Sequence, residues 1–211
     1  MIELLNIDCI EYMKTCTDKQ FDLAIIDPPY GIGLSSKKQS NFGKNGINHE
    51  YKEWDIVPTA EYWKELMRVS KNQIVWGGNY FTDYLPISRC WLSWYKMQEF
   101  STNEFELAWT SFDATCKQFN LSRVQSYANQ NKIHPAEKPK RLYNWILKNY
   151  ATAGMKILDT HLGSGNIAIS CHYAEMNLVG CEIDKGYYDK AMKNFKNGTA
   201  QTSLFLKEKN Y

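Results

Sequence analysis

The chain has 211 residues, 44% of them hydrophobic and 23% charged, which excludes a disordered polypeptide and leaves room for one domain with a sizeable core. A formal net charge of +2 excludes a bulk polycation, so any nucleic-acid surface has to come from local clustering. The six cysteines form no C-x-x-C pair and have no histidine at ligand spacing, so no metal is expected and they read as reduced core thiols.

No stretch of about 18 apolar residues and no basic-then-apolar leader is found, and the expected location is the cytoplasm. In chain order, residues 2–5 and 21–27 read as short strands on either side of a helix from Asp8 to Cys16, an alternating α/β layout. The pattern then collapses. From Gly31 to Glu53 the chain is rich in Gly, Asn, Ser and Lys, and an irregular segment of that length in a compact domain is usually functional or disordered; a mobile lid is expected over 31–57. Thr59 is placed to cap a helix carrying Tyr62, Leu66 and Val69 on one face, with a strand following at 73–77.

Two aromatic runs, 89–95 and 104–112, are expected to pair as a hairpin. Residues 113–133 are polar, basic and poorly periodic, which predicts a second long irregular segment. Pro139 suits the first position of a helix with Tyr143, Ile146, Leu147 and Tyr150 on one face. The last third reads strand (MKILD), Gly-rich turn (THLGSGN), helix, strand (LVGCEID), helix, the last with Tyr188, Ala191, Met192 and Phe195 sharing a face.

Two stretches carry chemistry. After MKILD, the turn from Asp159 to Gly165 has a carboxylate at the strand end and glycines where a ligand needs close backbone approach. Glu182 ends the next strand about 20 residues later, where a carboxylate can accept from both ribose hydroxyls. The turn lacks the G-x-G-x-x-G spacing and a Walker lysine, so an adenosine ligand without a pyrophosphate fits better than a dinucleotide. The second stretch is IIDPPYG, residues 25–31. Its prolines fix φ and donate no N–H, leaving carbonyl acceptors with little local competition beside the Asp27 carboxylate, and Tyr30 offers a flat face. Two acceptors next to an aromatic plate suit the NH2 group of a nucleobase. Taken alone, DPP also reads as a rigid turn.

DPPY, the DTHLGSGN turn, the EID acid and HPAEKP (134–139) together resemble the S-adenosylmethionine-dependent DNA amino-methyltransferases, and their order resembles the β-class. The resemblance implies an α/β, Rossmann-like class I methyltransferase fold: a mostly parallel central sheet with the family's antiparallel hairpin, C-terminal in its strand order, and a circularly permuted order of motifs. It implies one domain over 1–211, with target recognition by the small segment 113–133 and a short or relaxed site. The catalytic residues it implies are Asp27, Pro28, Pro29 and Tyr30. For the cofactor, S-adenosylmethionine, it implies Asp8, Cys9, Lys138, Asp159, His161, Gly163, Ser164, Gly165, Asn166, Glu182 and Ile183, with Lys138 over the methionine end. Thr160, His161 and Asn166 depart from the family's usual D-P-F-x-G-S-G-T.

The implied partner is double-stranded DNA with the target base flipped out. Phosphate contacts are expected from Lys37, Lys38, Lys44, Lys117, Arg123 and Lys132, and a restriction endonuclease, where one exists, would be a separate chain. DPPY favours N6 of adenine; N4 of cytosine, or a catalytically weak nucleic-acid-binding relative, stay open.

Overall fold

The computed structural model describes residues 1–32, 56–97, 104–126 and 137–207, with the side chains of Arg123 and 201–207 left aside. Most of the expected lid, the 127–133 part of the recognition segment, and Lys37, Lys38, Lys44 and Lys132 lie outside the described residues.

Eight strands form one sheet: β1 (Ile2–Leu5), β2 (Phe21–Ile26), β3 (Ser70–Trp76), β4 (Trp91–Tyr95), β5 (Phe105–Thr110), β6 (Lys117–Asn120), β7 (Lys156–Asp159) and β8 (Asn177–Cys181). Their order is β1-β8-β7-β2-β3-β5-β4-β6. Every pairing is parallel except those of β5, which runs antiparallel to both β3 and β4. Among the described residues the helices are α1 (Cys9–Thr15), α2 (Ala60–Val69), α3 (Arg123–Ser126), α4 (Lys140–Tyr150), α5 (Asn166–Tyr173) and α6 (Lys185–Lys207).

Central strands buried on both faces need continuous apolar runs rather than alternation, and β2, FDLAII, is such a run. Leu23 and Ile25 pack into a core with α4, α5 and α6, while Ala24 and Ile26 face a second core with α1 and α2. Helix starts follow local capping chemistry. The Asp8 carboxylate accepts from the amides of Ile10 at 2.7 Å and Glu11 at 3.2 Å, and the Thr59 hydroxyl accepts from Tyr62 N. On α2 the buried residues are Tyr62, Trp63, Leu66 and Val69, the expected stripe. The two aromatic runs pair antiparallel as β4 and β5.

Two expectations are corrected. Part of 113–133 is regular: β6 extends the sheet beside β4, and α3 follows. It gave no signal because as an edge strand with only Phe119 partly buried it carries no apolar periodicity. On α6 the buried face is rotated: Tyr187 and Ala191 are buried while Met192 is 40% exposed.

Candidate active site

In an open parallel sheet, ligands bind outside the carboxyl ends of the strands where the strand order reverses. Here that point lies between β7 and β2, and the loops following β1, β2, β7 and β8 all emerge at the same edge because those strands run parallel. They enclose a cavity of 410 Å³, within the range of pockets that hold a small organic ligand (about 300–1,000 Å³). Asp8, Cys9, Asp27, Pro28, Pro29, Tyr30, Lys138, His161, Gly163, Ser164, Glu182 and Ile183 line it. Its described lining carries the acids Asp8, Asp27, Glu137, Glu182 and Asp184 against the single lysine Lys138, a balance that favours a cationic ligand.

Asp27 sits one residue past β2. The Tyr30 hydroxyl donates to its Oδ1 at 2.6 Å, and the Lys138 ammonium donates to its Oδ2 at 2.5 Å. Burial pushes the Asp27 carboxyl above its ordinary range, opposed by the Lys138 charge. Burial alone would lower Lys138, yet Asp27 and Glu106 together hold it well above the usual lysine value. The Tyr30 ring is boxed in: Tyr80 stacks on it with centroids 5.0 Å apart, and Phe81 meets its edge at 6.1 Å. Gly77, at φ +67°, lies so close that a Cβ there would collide with the ring.

Lys138 was expected over the methionine end of a cofactor. It lines the cavity, and its Nζ lies against the carboxylates of Asp27 and Glu106, the latter at 3.0 Å. Glu106, on β5, accepts a second ammonium, from Lys96, at 2.6 Å. Burial would raise Glu106, but Lys138 and Lys96 overcome it and hold the carboxyl at about 2. Neither Glu106 nor Lys96 was singled out from the sequence. The available signal was an acid inside the otherwise apolar run FELAW and a lysine directly after WLSWY, each of which alone reads as a solvated strand end.

The other half of the cavity is built by the loops after β7 and β8. Both Glu182 oxygens are fixed by backbone donors, Gly163 N at 2.9 Å and Asp184 N at 3.0 Å. Asp159 is 2% exposed and lies behind the lining, accepting from His161 N at 3.0 Å. Its burial, opposed by that amide and reinforced by Asp27 and Glu182, pushes its carboxyl up to about 7. His161 is held neutral, pushed down to about 4 by burial against the opposing pull of Asp8.

The Thr160 hydroxyl bridges His161 Nδ1 at 2.9 Å and the Tyr62 hydroxyl at 2.7 Å. The Tyr62 phenol is buried to 1% exposure, where a polar group needs a partner, and Thr160 is its hydrogen-bond partner among the described residues. With Tyr62 donating to Thr160, the Thr160 proton is free for His161 Nδ1, an arrangement that places the imidazole proton on Nε2. Thr160 and His161, two of the three departures from the family turn, form one network with α2. Cys9 faces the cavity as a neutral thiol, its burial pushing it up to about 12.

Gly165 and Asn166 do not line the cavity. Gly165, at φ +73°, caps α5 against Ala191. The Asn166 amide donates to Glu137 Oε1 at 2.8 Å and Lys138 O at 2.9 Å, so it anchors the segment that carries Lys138. Lys117, expected at a phosphate, lies away from the cavity. It begins β6, which runs parallel to β4 at the sheet edge opposite the cavity, and it donates to Asn149 Oδ1 at 2.8 Å and covers the Tyr150 ring. Arg123 belongs to α3, but its side chain lies outside the described set.

A parallel sheet with one reversed strand, an acid fixed at the end of β8, and Asp-Pro-Pro-Tyr at the end of β2 define an S-adenosylmethionine-dependent methyltransferase. The profile of the N6/N4 DNA methylase family matches residues 82–193, more than half of the chain, and the chain belongs to that family. It is a DNA methyltransferase of the N6/N4 type. The type II methyltransferase M.HpaI of Haemophilus parainfluenzae is 23% identical over 89% of this chain and 72% of its own length. M.HinfI of Haemophilus influenzae is 22% identical over 92% of this chain and 68% of its own length.

Two solved structures share the fold. The M1.HpyAVI complex with S-adenosylmethionine superposes with a TM-score of 0.63 at 19% identity, covering 92% of this chain and 98% of that one. The cytosine-N4-specific PvuII DNA methyltransferase gives a TM-score of 0.66 at 12% identity, over 92% and 86%. The residues present fit the cofactor: Glu182 offers a fixed double acceptor for vicinal hydroxyls, Ile7 and Ile183 flank it with apolar surface, and the acidic lining suits a sulfonium.

Proposed function

We propose that this chain methylates the exocyclic N6 of an adenine flipped out of duplex DNA, with Asp27, Pro28 and Tyr30 holding the base and Glu182 the cofactor ribose. The supporting observation is the placement of the Asp27 carboxylate and the Tyr30 ring on the wall of the same cavity as Glu182. S-adenosylmethionine supplies an electrophilic methyl group on a sulfonium. An amine conjugated to a ring is a weak nucleophile. Acceptors at the Asp27 carboxylate and the Pro28 carbonyl bind its two hydrogens, hold it in line and draw the lone pair out of the ring. A base inside a duplex cannot reach this cavity, so the base leaves the stack. The nitrogen–carbon bond forms as the carbon–sulfur bond breaks, and the released proton passes to Asp27, whose burial raises its affinity for it, or to water.

The preference for adenine rests on the DPPY string. A restriction endonuclease acting on the same site, as the type II relatives suggest, would be a separate chain. The test is mass spectrometry of nucleosides from unmethylated DNA incubated with the protein and S-adenosylmethionine. N6-methyladenine is expected from the parent and none from Asp27→Ala. N4-methylcytosine would overturn the adenine assignment, and full activity in Asp27→Ala would overturn the site.

A further inference from the structure

Both oxygens of Asp27 are engaged before any base arrives, one by Tyr30 and one by Lys138. Each carboxylate oxygen can accept a second bond, but Lys138 at 2.5 Å competes with a target amine for Oδ2, and the amine gains that position in full where Lys138 yields it. Lys138 has a side chain only 4% exposed, and a buried ammonium that leaves its sole counter-charge is strongly disfavoured. Glu106 resolves the conflict. It lies outside the cavity lining, 3.0 Å from the same Nζ, and is itself balanced on its other oxygen by Lys96 at 2.6 Å. The set of two carboxylates and two ammoniums is neutral, and a small shift of Nζ moves it from one carboxylate toward the other.

We propose that Glu106, with Lys96 behind it, is a positioning residue for methyl transfer: it receives the Lys138 ammonium when the target amino group takes its place on Asp27. The proposal rests on the amino-methyl transfer reading above. Asp27 is faced by Lys138 from the segment before α4, Tyr30 from its own loop, Glu106 from β5, Tyr143 from α4 and Asp159 from β7. Removing the Glu106 charge takes away a negative neighbour and leaves Lys138 on Asp27 undivided. Both effects lower the pH at which Asp27 titrates, and the undivided Lys138 competes with the amine.

The experiment is a carboxyl 13C NMR titration of Asp27 in the full chain, paired with methylation kinetics on DNA. The variants are E106Q, E106D and E106Q/K96M, the last of which avoids a buried unpaired Lys96. Each is first shown to be folded by its S-adenosylmethionine affinity, which should stay within about twofold of the parent because Glu106 does not line the cavity. E106Q and E106Q/K96M are expected to lower the Asp27 midpoint by about half a pH unit or more and kcat by about tenfold or more. E106D, which keeps the charge, should retain most of the parent midpoint. An unmoved midpoint in E106Q/K96M overturns the proposal, as does a loss of kcat that tracks a loss of cofactor affinity. A parent chain that methylates no DNA overturns the catalytic reading itself, and the titration separates that failure from a failure of the Glu106 coupling.

Discussion

Replacing Lys138 with methionine tests the buried charge set most directly. The side chains of Lys138 and Asp27 are 4% and 13% exposed, so the variant strands a buried carboxylate, and breaking such a pair costs about 3–5 kcal/mol. Asp27 can escape part of that cost by taking a proton. Its folded pKa is already raised by burial, and without the ammonium it rises further. A carboxyl whose folded pKa lies above its unfolded value contributes stability that is fully present below the unfolded pKa and is lost as pH rises through the folded one. The deficit of Lys138→Met should therefore be small near pH 4 and reach its full size at pH 8. Adding Asp27→Asn, which keeps an acceptor for Tyr30, should recover most of it. Urea denaturation of the parent, the single variants and the double variant at both pH values measures this. A deficit below about 1 kcal/mol at pH 8, or one that Asp27→Asn leaves unchanged, refutes the buried pair as described.

Asp159, pushed up to about 7, follows the same sign: in the absence of cofactor its contribution to stability falls between about pH 4 and pH 7. Asp159→Asn should then be more stable than the parent at pH 8, by at most about 4 kcal/mol at 1.36 kcal/mol per pH unit, and equal to it at pH 4 by chemical denaturation. Gly77→Ala forces a side chain into the left-handed region, at about 1–2 kcal/mol, and into the Tyr30 ring. It should lower kcat by about tenfold or more with cofactor affinity retained, as calorimetry can check. Tyr62→Phe removes the hydroxyl that pairs with Thr160 and through it orients His161. It should cost about 1–2 kcal/mol, and 15N NMR of the imidazole should show a tautomer population shifted from that of the parent.

Much of the fold is legible in the residue pattern because it is decided locally. The β2 run, the α2 stripe, the Asp8 and Thr59 caps and the glycine turn after β7 each follow from neighbours within a few positions. Where local signals were weak, the reading slipped. β6 is a four-residue edge strand with one partly buried side chain, which leaves no period to detect. On α6, Ala191 lies close against Gly165, with Tyr187 buried and Met192 exposed.

The residue types for the chemistry are written along the chain: DPPY, the Gly-rich turn and Glu182 mark an amino-methyltransferase site without reference to coordinates. Which charges face one another is not written there. Asp27 and Lys138 are 111 positions apart, and Glu106 reaches them only because β5 inserts antiparallel between β3 and β4. An ion pair gains its strength from burial as well as from distance, and both depend on which strands become neighbours, a property of the assembled sheet.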